Sequence, residues 1–578
     1  MCARLRVLFG WLVIGSATGL LPGAVPPAAS PPAPTVAGAR AEPAIELPVF
    51  EVRDTRLLPP PESWRYAEIP GFEILSRISE RGSRHFVNDF LLLQEVIEVI
   101  MPGLTRGHVA VPTALILCGR GKGFDEFLPA DRSDERFATN SLFFKNDERA
   151  AIVIDFALSE LRYDNDRVEE SDPYRAFYIE YFRFLIRRQL TQPPPPWFEE
   201  GLVQLFGGID FSRKWITFAQ IGDGFGAEKI GDFNRILAQR ALMPFPQMLA
   251  PNGPRARTRD WKAQSYAFVH MCLYGVNRKY QRGFIQFITR LGQEPLSEPM
   301  FKECFNKSYK EMALELRGYL QFAVYNAMRF EAKKGQELPA PPPVEFRDAA
   351  DADVGRIKGE VLRLGGHGEA ARNTLIAPYV RGERDPRLLA ALGLDELQAG
   401  RKERARKFLE AAAQAKVVRA RAHLELARLR YDEAREAPGA PGGQLDAQQV
   451  GAVLTPLATA IKQPPPLAEA YALLADTWTH SAVPPTAEHL GTVIEGIRRF
   501  PRDTSLLMQA TLLATKRGFP AEAKALAERG VKISRDNAEQ ERFRLLAAAM
   551  NRDAAPAPPP PTVEITAEKV EPFLLKQP

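Results

Sequence analysis

Runs of proline set the strictest limits on what this chain can fold into. Pro193 to Pro196 interrupt a helix-forming stretch, and Leu338-Pro339-Ala340-Pro341-Pro342-Pro343 follow further on. Proline lacks the backbone N–H and its ring clashes with the preceding turn, so no helix crosses either run. Tyr174–Leu190 and the segment opening at Trp197 are therefore two helices. The second run marks a change of composition. Beyond it Ala, Leu, Arg and Glu dominate and strand signals almost vanish. Two further Pro-rich stretches, residues 22–60 and 553–578, predict an unstructured spacer and an unstructured tail.

At 578 residues the chain exceeds what one core organises, so at least two domains are expected. The predicted organisation is a signal segment over 1–41, a Pro/Ala-rich spacer over 42–63 and an α+β domain over 64–330. A Pro-rich linker over 331–345, an all-α array over 346–550 and a tail over 551–578 complete it. Arg4 and Arg6 precede the apolar run Val7 to Leu21, which ends at Pro22, and Ala39-Arg40-Ala41 offers a cleavage site. That run is shorter than the ~20 residues that span a bilayer. Export to a periplasmic or extracellular compartment is the expectation, with a retained N-terminal anchor as its alternative.

Cys2 precedes the apolar run. Cys118, Cys272 and Cys304 are odd in number and lie in apolar contexts, which predicts buried thiols without a disulfide. A net charge of +5 is small for this length and does not point to nucleic acid. Arg255, Arg257 and Arg259 read as a solvated loop before Trp261 rather than a phosphate site.

The region from Trp64 reads as strand, helix, strand, short helix and hairpin, which predicts a small mixed sheet, and the pattern turns helical from Tyr174 onward. After residue 345 a period of 34 residues relates Ala371 to Ala405 and Leu392-Gly393 to Leu426-Ala427. Small residues at fixed places in a helical hairpin let paired helices approach closely. The insertion "EAPGAPGGQ" breaks the period, and a generic Ala-rich bundle is the alternative.

The chemistry-bearing segments are Ile179-Glu180-Tyr181-Phe182-Arg183 and Trp197-Phe198-Glu199-Glu200-Gly201-Leu202. On residues alone, Glu180 and Arg183 form an ordinary i,i+3 ion pair. Glu199 and Glu200 are acids that a helix dipole favours in a first turn. The aromatic density of Tyr174 to Phe184 predicts a central buried helix. Only seven histidines occur, and no two share a helical turn in a ligand arrangement. A distant site would need His85, His108 and His270 to converge, and His270 reads as a satisfied core residue. Carboxylates without imidazoles hold zinc poorly, and Arg183 would repel a hard cation. No G-x-S-x-G elbow, P-loop or C-x-x-C motif is present.

In order and spacing these segments resemble the peptidase-MA-like gluzincins. Residues 66–104 are similar to that family's opening strand and long first helix, and 111–129 to its second strand with a short helical turn. Residues 141–155 are similar to the hairpin before the active helix, and 266–291 to the helical half that follows the third ligand. The resemblance covers about residues 64–325. It implies a zincin-like α+β fold in which Ile179 and Arg183 stand where H-E-x-x-H has its histidines. Glu180 then stands at the general-base position and Glu200 at the third ligand. The region after residue 345 resembles tetratricopeptide repeats.

Together these imply an exported, non-catalytic pseudopeptidase with no metal or cofactor. Ile179, Glu180, Arg183 and Glu200 form its degenerate site. Its partner is a protein or peptide, bound through the repeat groove and the degenerate cleft, with no nucleic acid and no membrane beyond the signal segment. The enzyme alternative is a zinc-dependent peptidase with unconventional ligands, Glu180 as base and Glu200 as ligand. A third reading places all function in residues 350–550. The pseudopeptidase reading makes one geometric demand. The Arg183 guanidinium should fill the vacated metal position, paired with Glu200 and shared with Glu180, with Ile179 packed in the first imidazole's place.

Overall fold

A computed structural model describes residues 45–50 and 58–552, except for 103, 106–111, 120–122, 130–139, 147, 157–172, 190–193, 220–236, 238–240, 251–257, 292–295, 323–327, 438–443 and 535. The predicted signal segment, its cleavage site, the C-terminal tail, His108, Arg255 and Arg257 lie outside the described residues. Among the described residues no helix is long and apolar enough to cross a membrane. The chain divides into two compact units. The first runs to Leu426 and includes Lys462–Pro465, and the second comprises the remainder.

The first unit opens with the hairpin of β1 (Arg65–Ile69) and β2 (Phe72–Ser76). Pro70-Gly71 turns the chain between them. Proline fixes its own φ, and Gly71 at φ 81° takes a left-handed conformation that a side chain would strain. Helix α1 (Glu80–Ile100) follows, started by the Ser79 side chain accepting from the Gly82 N–H. Then come β3 (Thr113–Cys118), β4 (Ser141–Lys145) and β5 (Ala150–Asp155). Helices α2 (Pro173–Gln189) and α3 (Pro196–Gly207) are separate, as the proline run requires. Strands β6 (Asp210–Phe211) and β7 (Trp215–Phe218) interrupt the helical stretch expected after Tyr174. They form a second, three-stranded sheet with β8 (Met328–Glu331). Between β7 and β8 lie α4 (Phe245–Leu249), α5 (Arg259–Tyr274), α6 (Gln281–Leu291), α7 (Glu298–Phe305) and α8 (Tyr309–Phe322).

The main sheet has the order β4-β5-β3-β2-β1-β9, with β9 at Arg347–Asp348. β3 runs parallel to β2 and β5, and the other pairs are antiparallel, so the small mixed sheet expected from the sequence is present. Alternating side chains face opposite sides of a strand. Ile74, Leu115, Leu117, Ile152 and Ile154 enter one core with α1, α2 and α3. Leu75, Ala114, Ile116, Ala151 and Val153 enter another.

That second core moves the expected domain boundary. Helices α9 (Asp351–Leu364) and α10 (Gly368–Val380) begin the region assigned to a separate array. Yet Val354, Ile357, Val361 and Leu362 of α9 and Ala371 of α10 are buried against the second sheet face. A sheet apolar on both faces needs cover on both, and these helices supply it. The linker is also held down. The Leu338 N–H donates to the Arg213 carbonyl (2.8 Å), and Arg213 Nε donates back to the Leu338 carbonyl (2.6 Å). The spacer expected to be unstructured is docked where it is described. The Tyr379 hydroxyl donates to the Pro48 carbonyl (2.8 Å), and the Phe50 ring packs on Tyr379 and Phe408.

Helices α11 (Pro386–Gln398), α12 (Lys402–Gln414) and α13 (Ala420–Glu436) continue the array. α10 and α12 begin at Gly368 and Lys402, 34 positions apart, which is the period in the sequence. Small residues make the close approaches. A Cβ on Gly359 would fall 2.6 Å from Leu375 Cγ, and one on Gly393 2.7 Å from Leu409 Cγ. The second unit is helical throughout its regular elements. It contains α14 (Ala447–Lys462) up to Ile461, α15 (Ala468–His480), α16 (Ala487–Arg499), α17 (Thr504–Lys516), α18 (Pro520–Ile533) and α19 (Asn537–Arg552). There Gly496 is packed beneath Tyr471 and Gly530 beneath Phe543.

Candidate functional site

Helices α2 and α3 bring the predicted site residues together. Phe177, Tyr181 and Phe184 lie on the core side of α2 and anchor it. That leaves Glu180, Arg183 and Arg187, spaced by one turn, directed at α3. Trp197 and Phe198 anchor the start of α3 in the same core. Gly201 lets α3 lie against α5, where a Cβ would fall 2.3 Å from Val269 Cγ2 and 2.8 Å from the Ser265 carbonyl oxygen. The W-F-E-E-G-L segment thus has a packing role that needs no metal.

Arg183 is the centre of the cluster. Its Nη1 lies 2.5 Å from Glu180 Oε2, its Nη2 3.0 Å from Glu200 Oε2, and its Nε 3.2 Å from Glu199 Oε1. The side chains of Glu180, Glu199 and Glu200 are all less than a tenth exposed. Each carboxylate has a second donor. Ser141 Oγ donates to Glu180 Oε1 (3.2 Å), and Gln204 Nε2 donates to Glu200 Oε1 (2.8 Å). Arg187 holds Glu199 through two N–H groups at 2.8 and 3.1 Å, the forked geometry that suits a carboxylate. Burial alone would lower the pKa of Arg183. The charges of Glu180, Glu200 and Glu199 outweigh it and raise the pKa above its ordinary value, so the guanidinium stays charged.

The geometric demand made by the sequence holds at the level of contacts, because Arg183 meets Glu200 and shares Glu180. Ile179 lies on the neighbouring face of α2 against Gly207, where a Cβ would fall 2.5 Å from Ile179 Cγ1. Glu199, Arg187, Gln204 and Ser141 were not foreseen as members of the cluster. Arg187, one turn beyond Arg183, was the available signal. The residues present do not suit zinc. A permanent cation sits among the three carboxylates, and no imidazole or thiolate completes a donor set. Among the described residues no group of three or more His, Cys, Asp or Glu is arranged to hold a metal ion.

His270 is a core residue with both ring nitrogens occupied. Nε2 lies 3.1 Å from the Ala219 carbonyl, which requires Nε2 to donate, and Nδ1 then accepts from the Tyr319 hydroxyl at 2.8 Å. Burial lowers its pKa to about 4, against the raising effect of the Ala219 carbonyl. His85 packs edge-on against Tyr174. Cys118, Cys272 and Cys304 are buried free thiols, and burial raises the pKa of Cys118 and Cys272 well above the ordinary value. No family model matches this chain, and no curated protein matches it.

Proposed function

We propose that the chain is an exported, non-catalytic relative of the gluzincin peptidases that binds a protein or peptide. The observation that carries this reading is Arg183, a guanidinium fixed by three buried carboxylates at the junction of α2 and α3. If α2 is the counterpart of the active helix, Arg183 takes the second histidine's place and leaves no position from which Glu180 activates a water. The zincin-like assignment of the first unit rests on its mixed sheet, the α2–α3 pair and the W-F-E-E-G-L start of α3. The tetratricopeptide-like assignment rests on helical hairpins with a 34-residue period and small residues at the crossings. Binding then falls to the sheet edge beside α2 and to the helical hairpins, neither of which requires a metal. Export rests on Arg4, Arg6 and the apolar run Val7 to Leu21.

Incubating the full chain with a library of unstructured peptides tests the reading. Capture of peptides at unchanged mass is the expected result. Cleavage that disappears in Glu180→Gln would overturn it.

A further inference from the structure

Residues Ile45–Phe50 of the first unit have no regular secondary structure and lie against helices α10 and α12. Pro48 fixes its own φ and biases Leu47 away from the helical region, so the segment runs extended. The Phe50 ring enters a socket that the spacing along the two helices creates. Arg372 and Tyr379 are seven positions apart on α10, and Arg404 and Phe408 four apart on α12, so each pair shares a helix face. Phe50 meets Tyr379 edge-on at 5.5 Å, lies nearly parallel to Phe408 at 5.9 Å, and has the Arg404 guanidinium 4.3 Å from its centroid.

The helices build this socket by themselves. Tyr379 and Phe408 pack edge-on against each other at 5.2 Å. The buried Glu396 of α11 holds Arg372 Nη2 at 2.7 Å and Arg404 Nε at 3.2 Å, and Asp395 holds Arg372 Nη1 at 2.7 Å. The occupant, by contrast, is lightly held. No residue of Ile45–Phe50 is buried, and Val49 is 81% exposed. Its anchors among the described residues are the Phe50 ring and the Pro48 carbonyl, which accepts from the Tyr379 hydroxyl at 2.8 Å. A segment integral to the core would bury side chains and pair its backbone more fully. Arg381, just past α10, donates to the Pro59 carbonyl (2.9 Å), which tethers the segment beside the socket and keeps its local concentration there high.

We propose that this socket is a docking site for an extended peptide segment carrying an aromatic side chain two residues after a proline. The chain's own Pro48-Val49-Phe50 fills it in cis until such a partner displaces it. A partner's ring takes the place of Phe50 beneath Arg404, and its backbone carbonyl takes the Tyr379 hydroxyl. The inference rests on the peptide-binding part of the reading above and not on the loss of the metal.

Fluorescence anisotropy of a labelled peptide copying Ile45–Phe50, titrated with the full chain, tests it. Phe50→Ala empties the socket without removing a buried residue, and circular dichroism checks its fold. If the tethered segment fills the socket nine-tenths of the time or more, the peptide should bind this variant about tenfold or more tighter than the natural chain. Adding Tyr379→Phe, which keeps the ring, should weaken that binding about threefold to tenfold, the usual effect of one hydrogen bond. A peptide with alanine in place of its phenylalanine should not bind. Equal binding to the natural and Phe50→Ala chains would overturn the inference, as would no binding to Phe50→Ala at millimolar concentration. Dimers of the natural chain that Phe50→Ala dissolves would overturn it in favour of exchange of this segment between copies. If Phe50→Ala captures library peptides but not this one, the inference fails while the broader peptide-binding reading stands.

Discussion

Glu73 of β2 and Arg356 of α9 stand 283 positions apart in the chain, yet share two hydrogen bonds of 2.5 and 2.8 Å in an interior that exposes neither side chain appreciably. Burial alone would raise the pKa of Glu73, but Arg356, Arg149 and Arg387 outweigh it and hold it at about 2. This pair joins the sheet to the first helix after the Pro-rich segment, and Arg387 on Glu73 and Arg419 on Glu148 tie in later residues of the first unit, which continues to Leu426.

The two faces of the sheet give the first prediction. A fragment ending at residue 345 leaves Leu75, Ile116 and Val153 without α9, and Glu73 without Arg356. It should fail to fold or should aggregate, because it bares an apolar face and strands a buried carboxylate. A fragment continuing to residue 437 should give a cooperative thermal transition. Cooperative unfolding of the shorter fragment would contradict this account of the second face.

Arg183→Ala should destabilise the first unit by about 3–5 kcal/mol, since it leaves Glu180 and Glu200 buried without their shared cation. Chemical denaturation measures this directly. Arg187→Ala should cost less, because its side chain is more exposed and Glu199 keeps Arg183. Equal losses would argue against Arg183 as the centre of the cluster.

Gly201→Ala should lower stability by about 1–3 kcal/mol, the usual cost of an overpacked contact. The added Cβ would meet Val269 and the Ser265 carbonyl. Thermal melts of the variant would read the loss, and a neutral result would mean that α3 and α5 separate easily.

His270 predicts a dependence on pH. Its pKa is about 4 in the folded chain against 6.5 for the free side chain, so the unfolded chain takes up the proton first. The stabilising contribution is complete above pH 6.5 and is lost as pH falls towards 4, in total about 3 kcal/mol. Glu73 adds a separate loss as pH falls from 4.5 towards 2. In His270→Gln the decline between pH 6.5 and 4 should flatten while the Glu73 window remains.

Local features were legible in the sequence because local chemistry decides them. Pro193 to Pro196 separate α2 from α3, and the 34-residue spacing of small residues marks the close crossings of α9 to α12. The Arg183–Glu200 pair was legible as well. A helical turn puts Glu180 and Arg183 on one face, and the resemblance to the gluzincins, which sets Glu200 at the third-ligand position, supplied the expectation that Arg183 would reach it. The partners of Glu73 were not legible, because a lone acid in a short strand carries no trace of an arginine hundreds of residues away. The β1–β2 hairpin was signalled by Pro70-Gly71 but read as a single strand. β6, β7 and β9 are too short for period-two alternation to show. The boundary at 331–345 followed composition, and composition does not record which helices cover a sheet.

Arg183 is proposed to stand where a gluzincin peptidase would hold its metal. Metal content of the purified full chain, after dialysis against a weak chelator and measured by plasma mass spectrometry, tests it most directly. The account predicts zinc far below one equivalent in the natural chain, and no gain on refolding with added zinc. About one tightly held equivalent of zinc, lost in Glu180→Gln or Glu200→Gln, would contradict it.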